Sequence, residues 1–336
     1  MKRIDIPQVG RTIDVGPGET ILAKALEAGI AYPHGCRSGR CGACKSRLLE
    51  GEVELLPHTP FALSPSERAQ GLVLACRAVP QTDATIAWLG HGDELAEFPV
   101  RRLAGRIAAV GEATHDIKLI RIALDDRSAF RFRPGQYARL TFPDLPPRDY
   151  SMASRPEDDL LEFHVRCVPG GATSARIFHR AMPGDPVTVE GPLGSAFLRE
   201  KHAGPILAVA GGSGLAPIKA IVETAVTRSM RQPIHVYFGA RTERDLYLTG
   251  HFRSLEAAHP DLRFVPVLST EAPPGHRSGT ISDAVAADLS DLDGWKAYVA
   301  GPPAMVEATG AALLARGMRS ADIHADAFFT PDHQAS

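Results

Sequence analysis

Four cysteines stand as Cys36-x4-Cys41-x2-Cys44, with Cys76 following after 31 intervening residues. Thiolates at this spacing are suited to a 2Fe–2S cluster, with three ligands on one loop and the fourth on a distant segment. Glycines at 35, 39 and 42 punctuate the string from Tyr32 to Lys45. A loop bending around a small inorganic core needs residues without Cβ, so that backbone N–H groups can turn toward the sulfurs. Other uses of the four thiols fit less well. A structural zinc site usually shows two short Cys pairs, and only one is present. A Rieske centre replaces two thiolates with histidines, and His34 has no second histidine beside it. Disulfides do not suit a chain that opens without a secretory h-region and is not a small cysteine-rich scaffold. Cys167 is left over and reads as an ordinary half-buried thiol on a strand.

The elements that must hold these residues divide the chain. A length of 336 residues corresponds to two or three domains at about 100–200 residues each. Residues 2–15 alternate as a hairpin around Gly10-Arg11, and Glu19 to Ala28 has helical apolar spacing with Gly29 as its stop signal. Short strands near 45–55, a helical turn at Ser64–Gln70 and the strand Leu72–Cys76 complete a β-grasp domain over 1–90. Residues 91–101 are polar and read as a linker. From 102 to 200 short strands separated by Gly/Pro turns predict an antiparallel six-stranded β-barrel, with helix at 173–182. From 201 to 336 apolar strand runs alternate with helices, as in a Rossmann-like parallel α/β domain.

Composition excludes several classes. A net charge of −2 and the lack of a basic domain argue against nucleic acid. No apolar run approaches the ~20 residues needed to span a bilayer, so a cytoplasmic protein without a membrane role is expected. Residues 1–90 carry ten Lys/Arg and nine Asp/Glu, and four of the cations, Arg37, Arg40, Lys45 and Arg47, lie in or just after the cysteine loop. They form either a solvated rim or a docking surface for an acidic partner.

Further strings carry chemistry of their own. Arg148-Asp-Tyr-Ser-Met-Ala-Ser154 follows a strand opened by Arg133-Pro-Gly-Gln-Tyr137. In His164-Val-Arg-Cys-Val-Pro-Gly-Gly-Ala-Thr-Ser174, Gly170 and Gly171 let the backbone close on a pyrophosphate. Ala172, Thr173 and Ser174 there open a helix whose unbonded N–H groups attract anions, and Arg166 adds a cation. Ile206-Leu-Ala-Val-Ala-Gly-Gly-Ser-Gly-Leu-Ala-Pro217 reads as strand, glycine turn and helix start, again suited to a pyrophosphate.

In this order the strings resemble the ferredoxin–NADP reductase superfamily, preceded by a plant-type ferredoxin. The resemblance implies that Tyr150 packs on a flavin isoalloxazine, Ser151 hydrogen-bonds its N5 atom and Arg148 pairs with its phosphate. It assigns His164, Val165, Arg166, Gly171, Ala172, Thr173 and Ser174 to the rest of an FAD site. Gly211, Gly212, Ser213, Gly214 and Pro217, with Gly301, Pro302 and Met305 of Tyr298-Val-Ala-Gly-Pro-Pro-Ala-Met305, fall to the nicotinamide nucleotide. Ala300 stands where many members have a cysteine. In the tail Ile323-His-Ala-Asp-Ala-Phe-Phe329, Phe328 resembles the aromatic that covers the flavin face, and Asp326 the carboxylate near the reacting atoms. Plain core packing is the other reading of the two phenylalanines. Arg241 or Arg244 could attract a 2′-phosphate and Glu271 would repel it, so NADH is the expected donor, with NADPH open.

Over roughly 1–330 the chain resembles the reductase components of bacterial ring-hydroxylating oxygenases that serve naphthalene, carbazole or terephthalate. That resemblance implies an oxidoreductase passing electrons from NADH through FAD and a 2Fe–2S cluster to an oxygenase or its ferredoxin. Other acceptors are a diiron monooxygenase of the phenol hydroxylase type, suggested by Thr59-Pro-Phe-Ala-Leu63, and a deoxysugar-biosynthetic iron–sulfur enzyme.

Overall fold

The computed structural model describes residues 1–34, 37–39, 42–60, 62–89, 98–270 and 272–329. The chain forms two compact units, Met1–Glu97 and Phe98–Ser336.

In the first unit β1 (Lys2–Ile6) and β2 (Arg11–Val15) pair antiparallel around Gly10, whose φ of 57° makes the turn. Helix α1 (Ile21–Glu27) starts at Thr20, whose hydroxyl accepts the Ala23 N–H, and stops before Gly29 at φ 72°. It buries Ile21, Leu22 and Ala25. There follow β3 (Lys45–Glu50), β4 (Val53–Leu55), α2 (Pro65–Ala69), β5 (Leu72–Leu74), β6 (Ala78–Pro80) and β7 (Ala84–Trp88). The main sheet has the order β2-β1-β7-β3-β5, and β4 pairs with β6 apart from it. β1 lies parallel to β7 and β3 antiparallel to it, the mixed sheet of a β-grasp. The core gathers Ile4, Ile6, Val15, Ile21, Leu74 and Ile86 together with Cys44 and Cys76, so the cysteine segments are part of what holds the unit together.

The second unit opens with six antiparallel strands: β8 (Arg101–Glu112), β9 (Ile117–Leu124), β10 (Tyr137–Thr141), β11 (Arg148–Ser151), β12 (Leu161–Arg166) and β13 (Pro186–Leu193). Their order is β11-β10-β13-β8-β9-β12, and a bridge between Met152 and Phe163 joins the two end strands. Alternate residues such as Ile120, Ile122, Leu140, Phe163, Val165 and Val189 fill the barrel. Helix α3 (Ala172–Arg180) follows β12.

The parallel sheet comprises β14 (Ile206–Gly211), β15 (Ile234–Ala240), β16 (Leu262–Leu268), β17 (Arg277–Ser278), β18 (Lys296–Gly301) and β19 (Ile323–Ala327). The helices between its strands are α4 (Leu215–Thr227), α5 (Thr249–Ala258), α6 (Ile281–Asp288) and α7 (Pro303–Leu314). The order β17-β16-β15-β14-β18-β19 reverses direction between β14 and β18. In open α/β sheets that reversal leaves a crevice at the carboxyl ends of the strands, where ligands bind. β14 and β18 are buried throughout, which explains their largely apolar sequences, and Lys296 at the start of β18 is paired with Asp322 at 2.7 Å. No described helix is long and apolar enough to cross a membrane.

The predicted fold classes hold, including six strands in the antiparallel barrel. Arg148–Ser151 is itself a strand at one end of the barrel sheet, and the tail adds a sixth parallel strand, β19, beside β18. All five residues of β19 are half-buried, so its sequence lacks the apolar run that marks its neighbours. The expected linker 91–101 falls largely outside the described residues, and β8 begins at Arg101.

Candidate active site

Two of the four cysteines can be followed. Cys44 precedes β3 and Cys76 follows β5, at 3% and 4% exposure. The Cys76 N–H donates to Cys44 Sγ at 3.4 Å, the kind of bond that favours a thiolate over a thiol. The Cys44 carbonyl accepts from Ala75 N–H at 3.1 Å and from Ser46 Oγ at 3.1 Å. Tyr32 OH shares a 2.6 Å hydrogen bond with Ser46 Oγ, and its ring meets Trp88 edge-on at 4.9 Å. Burial pushes the Tyr32 phenol above its ordinary range, so it stays neutral and serves as a buttress. Arg37, Gly39 and Gly42 all have positive φ, of 55°, 75° and 74°. Positive φ lets the described backbone at these positions curl tightly, as a loop around a compact core requires. Two close thiols, an inward N–H and this curl fit an iron–sulfur cluster. Cys36, Cys41 and Arg40 lie outside the described residues.

Among the described cations of the expected basic rim, Lys45 is already paired. Lys45 Nζ lies 2.6 Å from Glu67 Oε1, and its side chain is only 14% exposed. Glu67 also closes a capping box with Ser64 at the start of α2. Burial would raise the Glu67 carboxyl, but Lys45 and the Ser64 hydrogen bonds outweigh it and hold the pKa below its ordinary value. Arg37 and Arg47 are exposed, and Arg47 reaches the Gln70 carbonyl at 2.8 Å.

In the second unit β10 and β11 pair with Tyr137 opposite Ser151 and Leu140 opposite Arg148. Ser151 Oγ donates to Asp326 Oδ2 at 2.7 Å, which ties the barrel to the end of β19. Tyr150 is half-buried against the barrel core, and burial raises its phenol pKa. Arg148 is exposed at the start of β11. Two residues before it, the Pro146 carbonyl accepts from Thr173 Oγ1 at 2.8 Å, which brings the first turn of α3 beside Arg148. Ser174 Oγ accepts the Val168 N–H and donates to the Gly171 carbonyl, both at 3.1 Å. The hydroxyls of Thr173 and Ser174 are thus spent on shaping the turn, which leaves the first-turn backbone N–H groups and the exposed Arg148 as the groups that could hold an anion. Val165 points into the barrel core, and the buried His164 ring bonds elsewhere, so any cofactor contact from either must come through backbone. Arg166 is held by Asp116 at 2.7 Å. Cys167 lies just past β12, half-buried, with Sγ 4.0 Å from His179 Nε2.

The nicotinamide candidates gather at the sheet's reversal point. A Cβ on Gly214 would sit 2.1 Å from the Ala300 carbonyl, and one on Gly211 would sit 2.5 Å from Met305 Sδ and 3.0 Å from Pro302. The backbone clash makes Gly214 a requirement of the neighbouring 300–305 turn, whereas at Gly211 the Met305 side chain would have to shift. Gly212, at φ 55°, meets only the end of Arg166, 3.1 Å from where its Cβ would be. Ser213 is half-buried in that turn, and Pro217 is buried in the first turn of α4, where its missing N–H has no intrahelical partner to lose. Phe328 N–H donates to the Gly301 carbonyl at 2.9 Å, and Asp326 lies in register with Ala300. Ser151, Asp326, Phe328, Gly301 and the 211–214 turn thus form one constellation. Arg241 is exposed just beyond β15, and Glu271 lies outside the described residues.

Three family models cover most of the chain: a 2Fe–2S iron–sulfur cluster binding domain over 4–81, an oxidoreductase FAD-binding domain over 105–197 and an oxidoreductase NAD-binding domain over 208–310. The chain is 42% identical over 313 residues to the ferredoxin–NAD(P)(+) reductase component of the naphthalene 1,2-dioxygenase/salicylate 5-hydroxylase systems of Ralstonia sp., covering 93% of this chain and 94% of that one. It is 39% identical to the corresponding component of the naphthalene 1,2-dioxygenase system of Pseudomonas putida, covering 95% and 96%. The chain belongs to the family of oxygenase-system reductase components. Among solved structures, the Amycolatopsis cytochrome P450 reductase GcoB superposes with a TM-score of 0.76 at 37% identity, covering 98% of this chain and 99% of that one. This reductase is an NAD(P)H-dependent oxidoreductase with FAD, a 2Fe–2S cluster and NAD(H) as cofactors.

Sequence reasoning missed a group of polar residues behind the reductase's glycine turn. Glu162 accepts from Arg121 Nε at 2.8 Å and pairs with Lys219 Nζ at 3.2 Å. Burial opposes ionisation of Glu162, but its polar and charged neighbours, Lys219 and Arg121 among them, overcome it and hold its pKa well down. A cleft of about 450 Å³ between the barrel and helices α4 and α5 opens onto this group. Its charges are mutually paired, Arg155 with Asp158 at 2.6 Å and Lys219 with Glu223 at 3.1 Å, and His251 Nε2 lies 2.7 Å from Glu223 Oε1. No periodicity marks such residues, because their partners lie on other elements.

Proposed function

We propose that this reductase carries electrons from NADH to an aromatic-ring-hydroxylating oxygenase, or to the ferredoxin that serves it, in the cytoplasm. The observation that carries this reading is the Ser151–Asp326 hydrogen bond at 2.7 Å. It joins the flavin side of the barrel to the nucleotide side of the parallel sheet, so the two reacting rings would meet at one mouth. The residues of the barrel, the parallel sheet and the cysteine loop would hold FAD, the nicotinamide nucleotide and the cluster, which together would supply the conversion of a two-electron donor into single-electron delivery.

The residues of the chain bind and orient. Cys36, Cys41, Cys44 and Cys76 are the proposed iron ligands. Arg148 and the backbone N–H groups of Ala172, Thr173 and Ser174 hold the FAD phosphates, and Tyr150 and Ser151 set the flavin ring. Gly212, Ser213 and the 301–305 turn receive the nucleotide, with Phe328 anchored by backbone to Gly301 as the cover that must yield when nicotinamide enters. Arg241 is the cation nearest in sequence to a 2′-phosphate position, and Glu271 opposes it, which supports NADH over NADPH. The working division is 1–90, 102–200 and 201–336, joined by 91–101. Arg37 and Arg47 are the described cations available to an acidic partner.

Anaerobic titration of the purified holoprotein with NADH and then NADPH, followed by visible absorbance, tests the reading. NADH should bleach the flavin and iron–sulfur bands together, and NADPH should do so at higher concentration. A protein containing FAD, iron and sulfide that neither nucleotide bleaches would contradict it. Electron delivery to a diiron oxygenase but to no ring-hydroxylating system would reassign the partner.

A further inference from the structure

Tyr247 carries no role in any motif of the sequence, yet it is 5% exposed and lies under the glycine turn. Its hydroxyl is 3.3 Å from the Gly212 carbonyl and 2.9 Å from His164 Nδ1. His164, 4% exposed, reaches back through Nε2 to Glu162 Oε1 at 3.3 Å. A chain of polar contacts thus runs from barrel strand β12 to the turn that opens α4. The ring of Tyr247 is fixed independently, edge-on to His164 at 5.4 Å and to Phe238 at 5.6 Å.

The hydrogens can be counted. Burial keeps the His164 imidazole neutral, so the histidine and the tyrosine offer two hydrogens for three contacts. Glu162 already has hydrogens from Arg121 and Lys219. The Tyr247 hydroxyl is the one side-chain donor to the Gly212 carbonyl among the described residues. Placing the imidazole hydrogen on Nδ1 leaves the empty contact at the carboxylate, where other donors compensate. His164 then donates to Tyr247, and Tyr247 donates to Gly212.

We propose that Tyr247, oriented by His164, is a positioning residue that fixes the Gly212–Ser213 peptide for the nicotinamide nucleotide. This rests on the assignment of the 211–214 turn to that nucleotide. Three glycines in four residues give the turn little stiffness of its own, and Gly212 sits at φ 55°. In a planar trans peptide the C=O and the next N–H point opposite ways. Anchoring the Gly212 oxygen on Tyr247 therefore aims the Ser213 N–H away from it, and a preset donor spares the nucleotide the cost of ordering the turn.

The experiment measures the Kd for NAD+ and steady-state NADH kinetics of the FAD- and iron-loaded protein and of three variants. Tyr247→Phe keeps the ring and should weaken NAD+ by about three- to tenfold, the range of one hydrogen bond. The loss should fall on KM for NADH more than on kcat, with FAD and iron content unaltered. His164→Asn keeps a donor near the Nδ1 position and should retain more NAD+ affinity than His164→Gln, which reaches toward Glu162 and abandons Tyr247. Equal NAD+ affinity in wild type and Tyr247→Phe would overturn the proposal. If Tyr247→Phe does not fold, the His164 pair decides, and an Asn variant no better than Gln overturns it. Wild-type protein that binds no NAD+ at all would instead bring down the assignment of the turn, and this inference with it.

Discussion

The turns that open α3 and α4 look alike in sequence, glycines followed by small residues at a helix start, but they hold their shape by different means. At α3 the staples are local: Ser174 closes on Val168 and Gly171, and Thr173 on Pro146. At α4 the turn is held from outside, by the 300–305 turn packed on Gly211 and Gly214 and by β12 through Arg166, His164 and Tyr247. A turn that shapes itself can serve a cofactor that stays. A turn shaped by a neighbouring strand and by the barrel is coupled to both, which suits a site that nucleotide enters and leaves while the flavin remains.

The comparison can be broken most forcefully at Gly214. A Cβ there meets a backbone oxygen at 2.1 Å, and backbone cannot swing aside. Gly214→Ala should cost about 3 kcal/mol in chemical denaturation of the holoprotein and abolish NAD+ binding; a loss below ~0.5 kcal/mol would show that the two turns are not pressed together.

A smaller effect should follow Glu162→Gln, which leaves Arg121 without its anion and Lys219 with Glu223 alone. About 2 kcal/mol should be lost at neutral pH, the scale of hydrogen bonds to a charged group. The pH sign follows from the depressed carboxyl. Its stabilisation is complete above the ordinary glutamate value of 4.5 and disappears as pH falls through the lower folded value. The gap between wild type and variant in denaturant midpoint should therefore narrow as pH falls from 4.5 toward that lower value. A gap that widened there would mean that the carboxyl is not ionised in the fold. FAD retention should hold in this variant, because the α3 turn is independent of it.

The smallest effect is expected at the other turn. Ser174→Ala removes two 3.1 Å bonds and should cost about 1 kcal/mol, read as lower FAD occupancy with NAD+ affinity unchanged once flavin is saturating. Equal losses for both ligands would erase the distinction between the turns.

Much of this was legible in the chain itself, because some signals are local. The Thr20 cap and Gly29 stop bound α1, and the apolar runs of β14 and β18 announce strands buried on both faces. The spacing of the cysteines points to their use without any fold. Other features depend on partners far along the chain. β11 and β19 have mixed sequences because each lies at the end of its sheet order and is partly exposed. Gly211 and Gly214 read as room for a ligand, whereas Met305, Pro302 and Ala300 occupy that space. Lys45 reads as a docking charge until Glu67, 22 residues on, covers it. Tyr247 could not be found from its own neighbourhood, since its partners sit on β12 and at the turn after β14.

The central claim is that electrons enter at the mouth joined by Ser151 and Asp326 and leave through the cysteine-bound cluster. The most direct test compares wild type with Cys44→Ser, each loaded with FAD, by anaerobic absorbance on adding NADH and by reduction of an added ring-hydroxylating oxygenase system. In the variant NADH should still bleach the flavin band, while transfer to the oxygenase falls to background along with the iron content. Oxygenase reduction by Cys44→Ser at the wild-type rate would contradict the account.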